Sequence, residues 1–415
     1  RRRSRPCPDA GGDAPSATLT FVAFARAPPM RSLHYIDELS LEKGGVVRAV
    51  LDLVGGLAGS GVQVTLLTGD ATDAPQEWRE GGESAPRVMR IDRSRALLGG
   101  SSSARHALAE EIDKADVVHL HTPWDPFNPV IANVARAAGK PYVVSVHGML
   151  DDWCMAQRTA KKRIYLALSA RKLLEQSHAV HCTAQAELDQ SKRWYPKGNG
   201  AVIPLLFDLE PYRSLPGPDI AREKFSIDPS TPAVLFLSRI HIKKGVHHLI
   251  DAARLLRDRG MKAQFLIAGT GDSDYEQSLR EKIEADNIGD SVRLLGMVKG
   301  TEKVSLFEAA DVFALPTSQE NFGFVLVESL ASGTPVITTK HVDIWPELES
   351  SGSGTIVPQT PEDFASAIEQ TLKDTNRLGQ MGKAGRTWVL DALDPETVAK
   401  GYESLYLEAA GAAAP

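Results

Sequence analysis

From Met30 onward, the sequence alternates short β-branched apolar runs with amphipathic helical stretches. This alternation is typical of βαβ units wound into parallel sheets. In the first half, the apolar runs predict strands at 32–36, 63–67, 88–91, 117–121, 142–146, 179–182 and 201–203. After Pro232, a second series predicts strands at 234–237, 264–268, 292–294, 312–315, 336–338 and 355–357. We therefore expect an α/β fold with two parallel sheets.

The chain is long enough for two domains, since its 415 residues exceed the ~100 to 200 residues of a usual single domain. A proline- and glycine-rich stretch within 205–230 separates the two strand series and has the composition of a linker. We assign 30–210 to an N-terminal Rossmann-like domain and 211–390 to a C-terminal one. Residues 391–415 predict a helix that packs back on the N-terminal domain. Because ligands bind beyond the carboxyl ends of parallel strands, both domains are expected to face one cleft.

Residues 1–29 differ from the body of the chain, since they are rich in Arg, Pro, Ala and Gly. We interpret them as a disordered N-terminal extension. A basic start followed by an apolar run also has some resemblance to a signal peptide, although Arg26 interrupts that run early.

The composition excludes several classes of protein. A net charge of -6 gives no overall attraction to nucleic acid. Cys7, Cys154 and Cys182 have no C-x-x-C spacing, which argues against a disulfide framework or a structural zinc site and favours the cytoplasm. The sequence has no run of about 18 apolar residues, so no membrane-spanning helix is predicted.

The strongest functional signal is the segment PTSQENFGFVLVESLASGTPVI, in which seven residues separate Glu320 from Glu328. Asn321, Phe322 and Gly323 predict a turn, and an apolar stripe at helical spacing follows it. The helix that begins there would direct its free amides and positive dipole end at the cleft, where a phosphate or a sugar hydroxyl can bind. A glycosidase pair is disfavoured, because eight helical positions span ~12 Å whereas retaining hydrolases need carboxyl groups ~5 Å apart.

The two glutamates and their turn resemble the E-x7-E pattern of retaining glycosyltransferases of family 4, which have the GT-B fold of two Rossmann-like domains. The resemblance covers nearly all of 30–410. It implies that Glu320 binds donor-sugar hydroxyls and Glu328 the ribose hydroxyls. It also places Asn321, Phe322 and Gly323 at the donor.

The loop after the strand at 234–237 carries Arg239 and Lys244. A leaving nucleoside diphosphate gains negative charge as the glycosidic bond breaks, so fixed cations stabilise the transition state more than the ground state. The family resemblance extends to Arg239, Lys244 and the following Gly245, with the difference that Ile240-His241-Ile242 separates the cations. Lys243 is an adjacent alternative for the lysine role.

Further candidate residues follow other strands. Gly44 and Gly45 open the first helix, where the family places the donor diphosphate. His147 ends a strand and is a candidate to contact the donor sugar or leaving phosphate; His121 is an acceptor-side candidate. His119 and His121 share a strand face, but two histidines make a poor zinc site and no third ligand is apparent. The resemblance places Gly269, Met297 and Val298 beside the donor nucleotide.

Segment 158–174 combines six cationic side chains with apolar ones, which is typical of an amphipathic helix at an anionic membrane surface or of a solvated helix on its own domain. We therefore expect a cytoplasmic enzyme with a peripheral membrane contact.

The sequence predicts a hexosyltransferase that uses a nucleotide-sugar donor, a glycan or lipid-linked acceptor and neither cofactor nor metal, in cell-surface polysaccharide biosynthesis. Two alternatives remain open: a noncatalytic nucleotide- or sugar-binding protein, and an NAD-dependent dehydrogenase, for which the glycine fingerprint is incomplete. The base, the sugar and the acceptor cannot be read from these motifs.

Overall fold

The computed structural model describes residues 29–82, 85–92 and 102–411. The predicted extension at 1–29 lies outside the described residues except for Pro29, and Cys7 lies outside them as well. In the part of the chain that is described, two parallel sheets form the cores of two domains, each with helices on both faces. The predicted pair of Rossmann-like domains is confirmed.

Among the described residues, the sheet of the N-terminal domain has seven parallel strands in the order β3-β2-β1-β4-β5-β6-β7. They are β1 (Arg31–Tyr35), β2 (Gln63–Thr68), β3 (Arg87–Arg90), β4 (Val117–His121), β5 (Tyr142–Ser145), β6 (Ala179–Cys182) and β7 (Gly200–Val202). The order reverses between β1 and β4, which pair directly from Ser32 with Val117 to Tyr35 with Leu120.

The sheet of the C-terminal domain repeats the same order as β10-β9-β8-β11-β12-β13. Its strands are β8 (Ala233–Leu237), β9 (Gln264–Ala268), β10 (Val292–Gly296), β11 (Val312–Leu315), β12 (Val336–Thr338) and β13 (Gly354–Ile356). Every residue of β8 and β11 is buried, as expected for central strands covered on both faces. Their apolar runs therefore show no alternation.

The helices of the N-terminal domain are α1 (Gly45–Gly59), α2 (Gln76–Glu80), α3 (Ser102–Lys114), α4 (Asn128–Ala137), α5 (Asp152–Ala156), α6 (Thr159–Tyr165), α7 (Arg171–Glu175) and α8 (Gln185–Ser191). A π-helical turn, Leu166–Ala170, joins α6 to α7.

The helices of the C-terminal half are α9 (Glu210–Arg213), α10 (Asp219–Phe225), α11 (Val246–Asp258), α12 (Ser273–Ala285), α13 (Gly300–Ala309), α14 (Phe324–Ala331), α15 (Trp345–Ser350), α16 (Pro361–Lys373), α17 (Thr375–Ala392) and α18 (Pro395–Ala409). The stretch interpreted as a linker therefore contains two short helices, α9 and α10. Tyr212 and Ala221 anchor them in the C-terminal core.

The last helix, α18, packs on the N-terminal domain although its sequence follows the C-terminal one. The Asp394 side chain accepts a hydrogen bond from the Thr397 amide, and Pro395 occupies the first turn, so the helix start is capped at the point where the chain crosses back. Its apolar face joins the core around α1 through Val398, Ala399, Tyr402, Leu405 and Tyr406.

The two domains meet at the carboxyl ends of their strands. The Thr183 hydroxyl, after β6, donates to the Asn321 side-chain oxygen at 3.3 Å. The Gln190 amide on α8 donates to a carboxylate oxygen of Asp343 at 2.9 Å. Both sheets therefore direct their loops into one shared cleft.

Candidate active site

The loops that follow β8 and β11 meet in the cleft. These strands are neighbours at the point where the strand order reverses, so their connections leave in opposite directions and open a crevice between them. The first loop carries Lys244 and the second Glu320, and their side chains form a direct ion pair. The sequence-predicted cation and carboxylate are therefore brought together.

Lys244 lies in a largely buried position. Its side chain is 10% exposed and that of Glu320 is 23% exposed. Burial, with the charges of Lys243 and Arg239 nearby, lowers the pKa of Lys244 to about 7. The Glu320 carboxylate in contact with the ammonium opposes this shift. Lys244 is thus a cation that water stabilises poorly and that an added anion would stabilise strongly.

The backbone holds the two loops in register. The Ser318 amide donates to the Lys243 carbonyl at 2.9 Å and joins these two loops, while the Glu320 amide donates at 2.8 Å to the carbonyl of His341 in the loop after β12. Gly245 has a φ of 71°, and a Cβ atom there would lie 1.9 Å from the Pro316 carbonyl oxygen. Only glycine allows this close approach of the two loops.

The neighbouring cations differ from Lys244. Arg239 is exposed, and no ion pair or hydrogen bond joins its side chain to another described residue. Lys243, the alternative lysine, extends across the cleft and lies 4.7 Å from the centre of the Trp153 ring. Arg239 is therefore available to a ligand, whereas Lys243 contributes to contact between the domains.

The residues of the turn after Glu320 make different contacts. Gly323, with a φ of 71°, precedes the first residue of α14. The Asn321 side-chain amide donates to Asp343 at 2.9 Å and its oxygen accepts from Thr183 of the N-terminal domain at 3.3 Å, so this side chain is engaged between the domains. Phe322 is buried, with its ring 5.5 Å from that of Phe324, so it supports the turn from the core side. Gly323 and the first amides of α14 remain candidates for binding an anion.

Glu328 lies in a separate interdomain pocket of about 480 Å³. Its carboxylate forms an ion pair with Lys303 at 2.6 Å. Arg48 from α1 and Tyr212 also line this pocket. The pocket lies between both domains, so Glu328 remains a candidate to bind the ribose hydroxyls there.

The remaining donor candidates differ in accessibility. Gly44 has a φ of 105° and, with Gly45, has no atoms within 4 Å of a Cβ position, so the turn is open. At Gly269 a Cβ atom would lie 1.9 Å from the Ser238 carbonyl oxygen. Met297 is 57% exposed, whereas Val298 is 5% exposed and belongs to the core. Val298 can therefore contact a nucleotide only through its backbone.

The two candidate histidines have different positions. His147 follows β5 in a left-handed backbone conformation with a φ of 49°. Its Nε2 lies 3.1 Å from Nδ1 of His121. His121 is 1% exposed, and its Nε2 lies 3.2 Å from Nδ1 of His34. Both ring nitrogens of His121 are therefore engaged by other histidines, and it has no direct access to the cleft.

The structure also supplies the third imidazole that sequence reasoning did not find. His34, on β1, lies beside His119 and His121, and one ring nitrogen from each of the three lies within 4.8 Å of the others. All three are fully buried, and burial lowers the pKa of each. His34 was missed because it is far away in sequence, on the strand that pairs with β4.

Three buried acids at the domain contact were also missed. Glu187 accepts hydrogen bonds from the amides of Gly148 and Thr183. The Gln319 amide donates to Asp151. Burial raises the pKa of Asp343 to about 8, with a further contribution from the nearby Glu187. The rule that polar residues after strands gather at one edge could have identified the first two, which follow β6 and β5.

The comparisons with known proteins agree with this geometry. Residues 219–388 match the family of group 1 glycosyl transferases, and residues 44–205 match the glycosyl transferase 4-like domain. The chain belongs to the group 1 glycosyltransferases.

Similar proteins include an uncharacterized glycosyltransferase, MJ1607, of Methanocaldococcus jannaschii, 26% identical over 80% of this chain and 86% of the relative. The phosphatidyl-myo-inositol mannosyltransferase of Mycobacterium tuberculosis is 28% identical over 78% of this chain and 81% of its own length. The structure of Alr3699/HepE from Anabaena in complex with UDP superposes with a TM-score of 0.73, at 20% identity, over 90% of this chain and 99% of that one. This last likeness concerns the fold.

Proposed function

We propose that this glycosyltransferase moves a hexosyl group from a nucleoside-diphosphate sugar to a hydroxyl acceptor with retention of configuration and without a metal ion. The C-terminal domain binds the donor and the N-terminal domain the acceptor. The observation that carries the proposal is the contact of Lys244 with Glu320 at the point where the strand order reverses. A diphosphate and a hexose have complementary partners there in adjacent positions.

The cations suit the leaving group. When the bond between the anomeric carbon and the diphosphate oxygen breaks, its electron pair stays on that oxygen. Lys244, Arg239 and the amides that begin α14 stabilise the developing charge, and their fixed positions require little reorganisation. Arg239 offers a planar pair of donors and Lys244 a point charge, which together replace the divalent cation that other transferases use.

Retention follows if the acceptor hydroxyl approaches the face of the sugar from which the diphosphate leaves. The acceptor oxygen forms a bond to the anomeric carbon, and its proton passes to the departing diphosphate oxygen. This route requires no protein nucleophile. Glu320, held by Lys244, is suited to binding a sugar hydroxyl rather than attacking the anomeric carbon.

The test is to follow the anomeric configuration of donor and product by NMR during turnover. Retention and unchanged turnover in excess EDTA are expected. An inverted product contradicts the stereochemical proposal, and turnover that EDTA abolishes and added Mg²⁺ restores contradicts metal independence.

The donor class can be narrowed with a thermal-shift panel of nucleotide sugars. The Anabaena protein has been solved with UDP and with UDP-glucose, so uridine diphosphate sugars come first in the panel. A donor present at 100 times its dissociation constant stabilises the fold by about 2.7 kcal/mol, which such a panel resolves.

We further propose that the acceptor is a glycan or a lipid-linked sugar at the inner membrane surface, in the synthesis of a surface polysaccharide. Among the described residues, no helix is long and apolar enough to cross a bilayer. On the α6 to α7 segment, however, Leu168 is 80% exposed and Ile164 is 60% exposed. Exposed cations flank them: Lys161, Arg163, Arg171 and Lys172. This combination suits the interface of an anionic bilayer.

Co-sedimentation with vesicles rich in phosphatidylglycerol tests this contact. Leu168→Ser combined with Ile164→Ser is expected to abolish sedimentation, while Ile220→Ser, at another exposed apolar position, is expected to leave it unchanged. Equal sedimentation of both variants would argue against the contact and favour a solvated helix.

The alternatives are a noncatalytic binder and a dehydrogenase. A binder has affinity for nucleotide sugars but no turnover. The dehydrogenase alternative rests on the partial glycine pattern at Gly269 and Gly271. The close approach of these glycines to the carbonyls of Ser238 and Ile240 gives them a packing role that needs no dinucleotide.

A further inference from the structure

A chain of hydrogen-bonding side chains runs through the core of the N-terminal domain, from the C-terminal helix to the cleft. Its members are fully or almost fully buried and are drawn from four adjacent strands, the loop after β5 and α18. In order, they are His181, Ser145, His119, Tyr406, His34, His121 and His147.

The end of this hydrogen-bonded chain that lies away from the cleft, at His181, determines which of its atoms carry hydrogens. His181 Nε2 lies 2.8 Å from the Ile203 carbonyl oxygen, which can only accept, so Nε2 must carry the hydrogen. Tyr402 agrees with this assignment, since its hydroxyl donates to the Pro204 carbonyl and thus presents its oxygen to the same Nε2 at 3.0 Å. His181 Nδ1 is therefore an acceptor.

The donor and acceptor roles of the next groups follow from this assignment, because a neutral imidazole has one donor and one acceptor. The Ser145 hydroxyl donates to His181 Nδ1 at 2.7 Å and accepts from His119 Nε2 at 2.7 Å. His119 Nδ1 is consequently an acceptor, and the Tyr406 hydroxyl donates to it at 2.6 Å. The Tyr406 oxygen is left to accept from the next group.

That next group is His34, whose Nε2 lies 3.5 Å from the Tyr406 oxygen, the longest step in the chain. His34 Nε2 donates, so its Nδ1 accepts from His121 Nε2 at 3.2 Å. His121 Nδ1 in turn accepts from His147 Nε2 at 3.1 Å. At the cleft end, His147 carries its hydrogen on Nε2, and its Nδ1 has no hydrogen-bonding partner among the described residues.

We propose that Tyr406, on the C-terminal helix, is a positioning residue that fixes the tautomer of His147, leaving His147 Nδ1 as an acceptor for a hydroxyl of the bound donor or acceptor. The substrate part of this proposal rests on the proposed function, whereas the tautomer does not. His147 then accepts a hydrogen bond and does not act as a cation toward the diphosphate.

The packing of the imidazoles supports this view over a metal site. A metal held by His34, His119 and His121 would need one lone pair from each. Both ring nitrogens of all three already take part in the chain, so a metal would break at least two of its links. The chain satisfies every one of these buried nitrogens without an ion.

Loss of the Tyr406 hydroxyl should allow the hydrogen bonds between His34, His121 and His147 to reverse their donor and acceptor roles. His34 Nε2–H would then be an unpaired buried donor, which costs more than an unpaired lone pair. The reversed arrangement relieves that cost: His34 Nδ1–H donates to His121, His121 Nδ1–H donates to His147 Nε2, and His147 Nδ1 gains the hydrogen. His147 would then present a donor where an acceptor is needed.

The experiment compares Tyr406→Phe with Tyr402→Phe. Both tyrosines are fully buried on one helix face, and each variant loses one hydroxyl. Tyr402 stands beside the chain, because the Ile203 carbonyl still holds the His181 hydrogen without it. The ¹⁵N shifts of the His147 ring in ¹⁵N-histidine-labelled protein, assigned with His147→Gln, report the tautomer without any substrate.

In the native protein and in Tyr402→Phe, we expect protonated Nε2 and unprotonated Nδ1. In Tyr406→Phe, the Nδ1–H form should appear, and kcat should fall roughly threefold to tenfold, as for one lost hydrogen bond, with donor affinity little changed. Ser145→Ala, which removes the oxygen between His181 and His119, should give the same change and serves if Tyr406→Phe does not fold.

An unchanged His147 tautomer in both Tyr406→Phe and Ser145→Ala overturns the proposal, as does the same change in Tyr402→Phe. Stoichiometric transition metal in the purified protein that His34→Gln removes would overturn it too. Because the tautomer is read in the free protein, a failed transfer assay with an intact tautomer pattern counts against the proposed function alone.

Discussion

Lys244 and Glu320 contact each other across 76 positions of sequence, on loops that follow neighbouring strands of one sheet. The ammonium is thus already paired before a donor binds, in a setting where burial disfavours its charge. A bound diphosphate would supply a second anionic partner, so Lys244 can bridge the phosphate and Glu320 while the other oxygen of Glu320 accepts a sugar hydroxyl. In the proposed reaction, the pair would link recognition of the phosphate to recognition of the hexose.

We expect Glu320→Gln to lower kcat by about 100-fold or more while leaving the Kd of the nucleoside diphosphate within a fewfold of its native value. The neutral amide keeps the size of the side chain but loses the charge-assisted contacts, which are about twice as strong as neutral ones. Transfer assays and calorimetry with the free nucleotide measure the two effects. Native turnover in this variant would remove Glu320 from the reaction.

Lys244→Met should weaken binding of the nucleoside diphosphate about 10- to 100-fold, since a hydrogen bond to a charged group contributes about 1.5 to 3 kcal/mol. Lys243→Met is the matched control, because Lys243 lies over Trp153 and away from Glu320. Calorimetric titration of both variants compares the two lysines. A larger loss in Lys243→Met would transfer the phosphate role to that residue.

Donor binding should weaken as the pH rises above about 7. Burial lowers the pKa of Lys244 to about 7, so its positive charge is present below that pH and is lost above it. If only the charged form binds, the apparent Kd rises toward about tenfold per pH unit in the alkaline range. The Glu320 carboxylate opposes the shift, so the same titration with Glu320→Gln should begin at a lower pH. A flat profile from pH 6 to 9 would contradict the assignment.

The fold should lose stability steeply on acidification below about pH 6.5. Burial lowers the pKa of all five histidines in the buried hydrogen-bonded chain, to about 3 for His34 and His147 and to about 4 for His181. Between these values and 6.5 the unfolded chain binds more protons, so each histidine removes about 1.4 kcal/mol of stability per pH unit as the pH falls.

Buried carboxyl groups act in the opposite sense and reduce this slope. The raised pKa of Asp343 favours the folded state as the pH falls below about 8. A net loss is expected between pH 6.5 and 4.5, because burial lowers the pKa of all five histidines through this range, whereas among the described acids only the pKa of Asp343 is raised as far as about 8. Thermal unfolding from pH 7.5 to 4.5 measures it, and a Tm that stays constant to pH 5 would contradict neutral, buried imidazoles.

Gly245→Ala should reduce activity and stability far more than Gly260→Ala. Both glycines have a positive φ, 71° and 78°, so both variants carry the backbone strain of a side chain in that region. Only at Gly245 would the added Cβ meet a carbonyl oxygen, that of Pro316 at 1.9 Å, while Gly260 has nothing within 4 Å. Because the backbone strain is common to both variants, the difference in their Tm measures the effect of the clash between the two loops.

Most of the fold could be predicted from local patterns. Each predicted strand is present with ends that differ by at most two residues, because the buried central strands are continuous apolar runs with helical stretches between them. The strand order explains why the Arg239 to Lys244 loop and Glu320 meet, since both loops lie at the reversal point.

Long-range partners could not be predicted in the same way. Nothing near His34 in sequence indicates that it lies beside His121, or that Tyr406 on the last helix completes their hydrogen bonding. Asn321, predicted as a donor ligand, also spans the domains to Thr183 because the two carboxyl edges face each other. Such contacts depend on which strands pair and on where distant segments pack, which a periodic pattern in one segment does not encode.

Because α18 packs on the N-terminal domain, that domain is formed by two separate segments of the amino-acid sequence. A fragment ending near residue 205 would lack the five apolar side chains that α18 buries against α1, and with them the Tyr406 hydroxyl that completes the histidine chain. Attempts to express the N-terminal domain without α18 would thus yield a protein with an exposed apolar groove. A fusion that joins 395–411 to that fragment, or a circular permutant in which α18 precedes β1, restores the missing piece within one continuous chain.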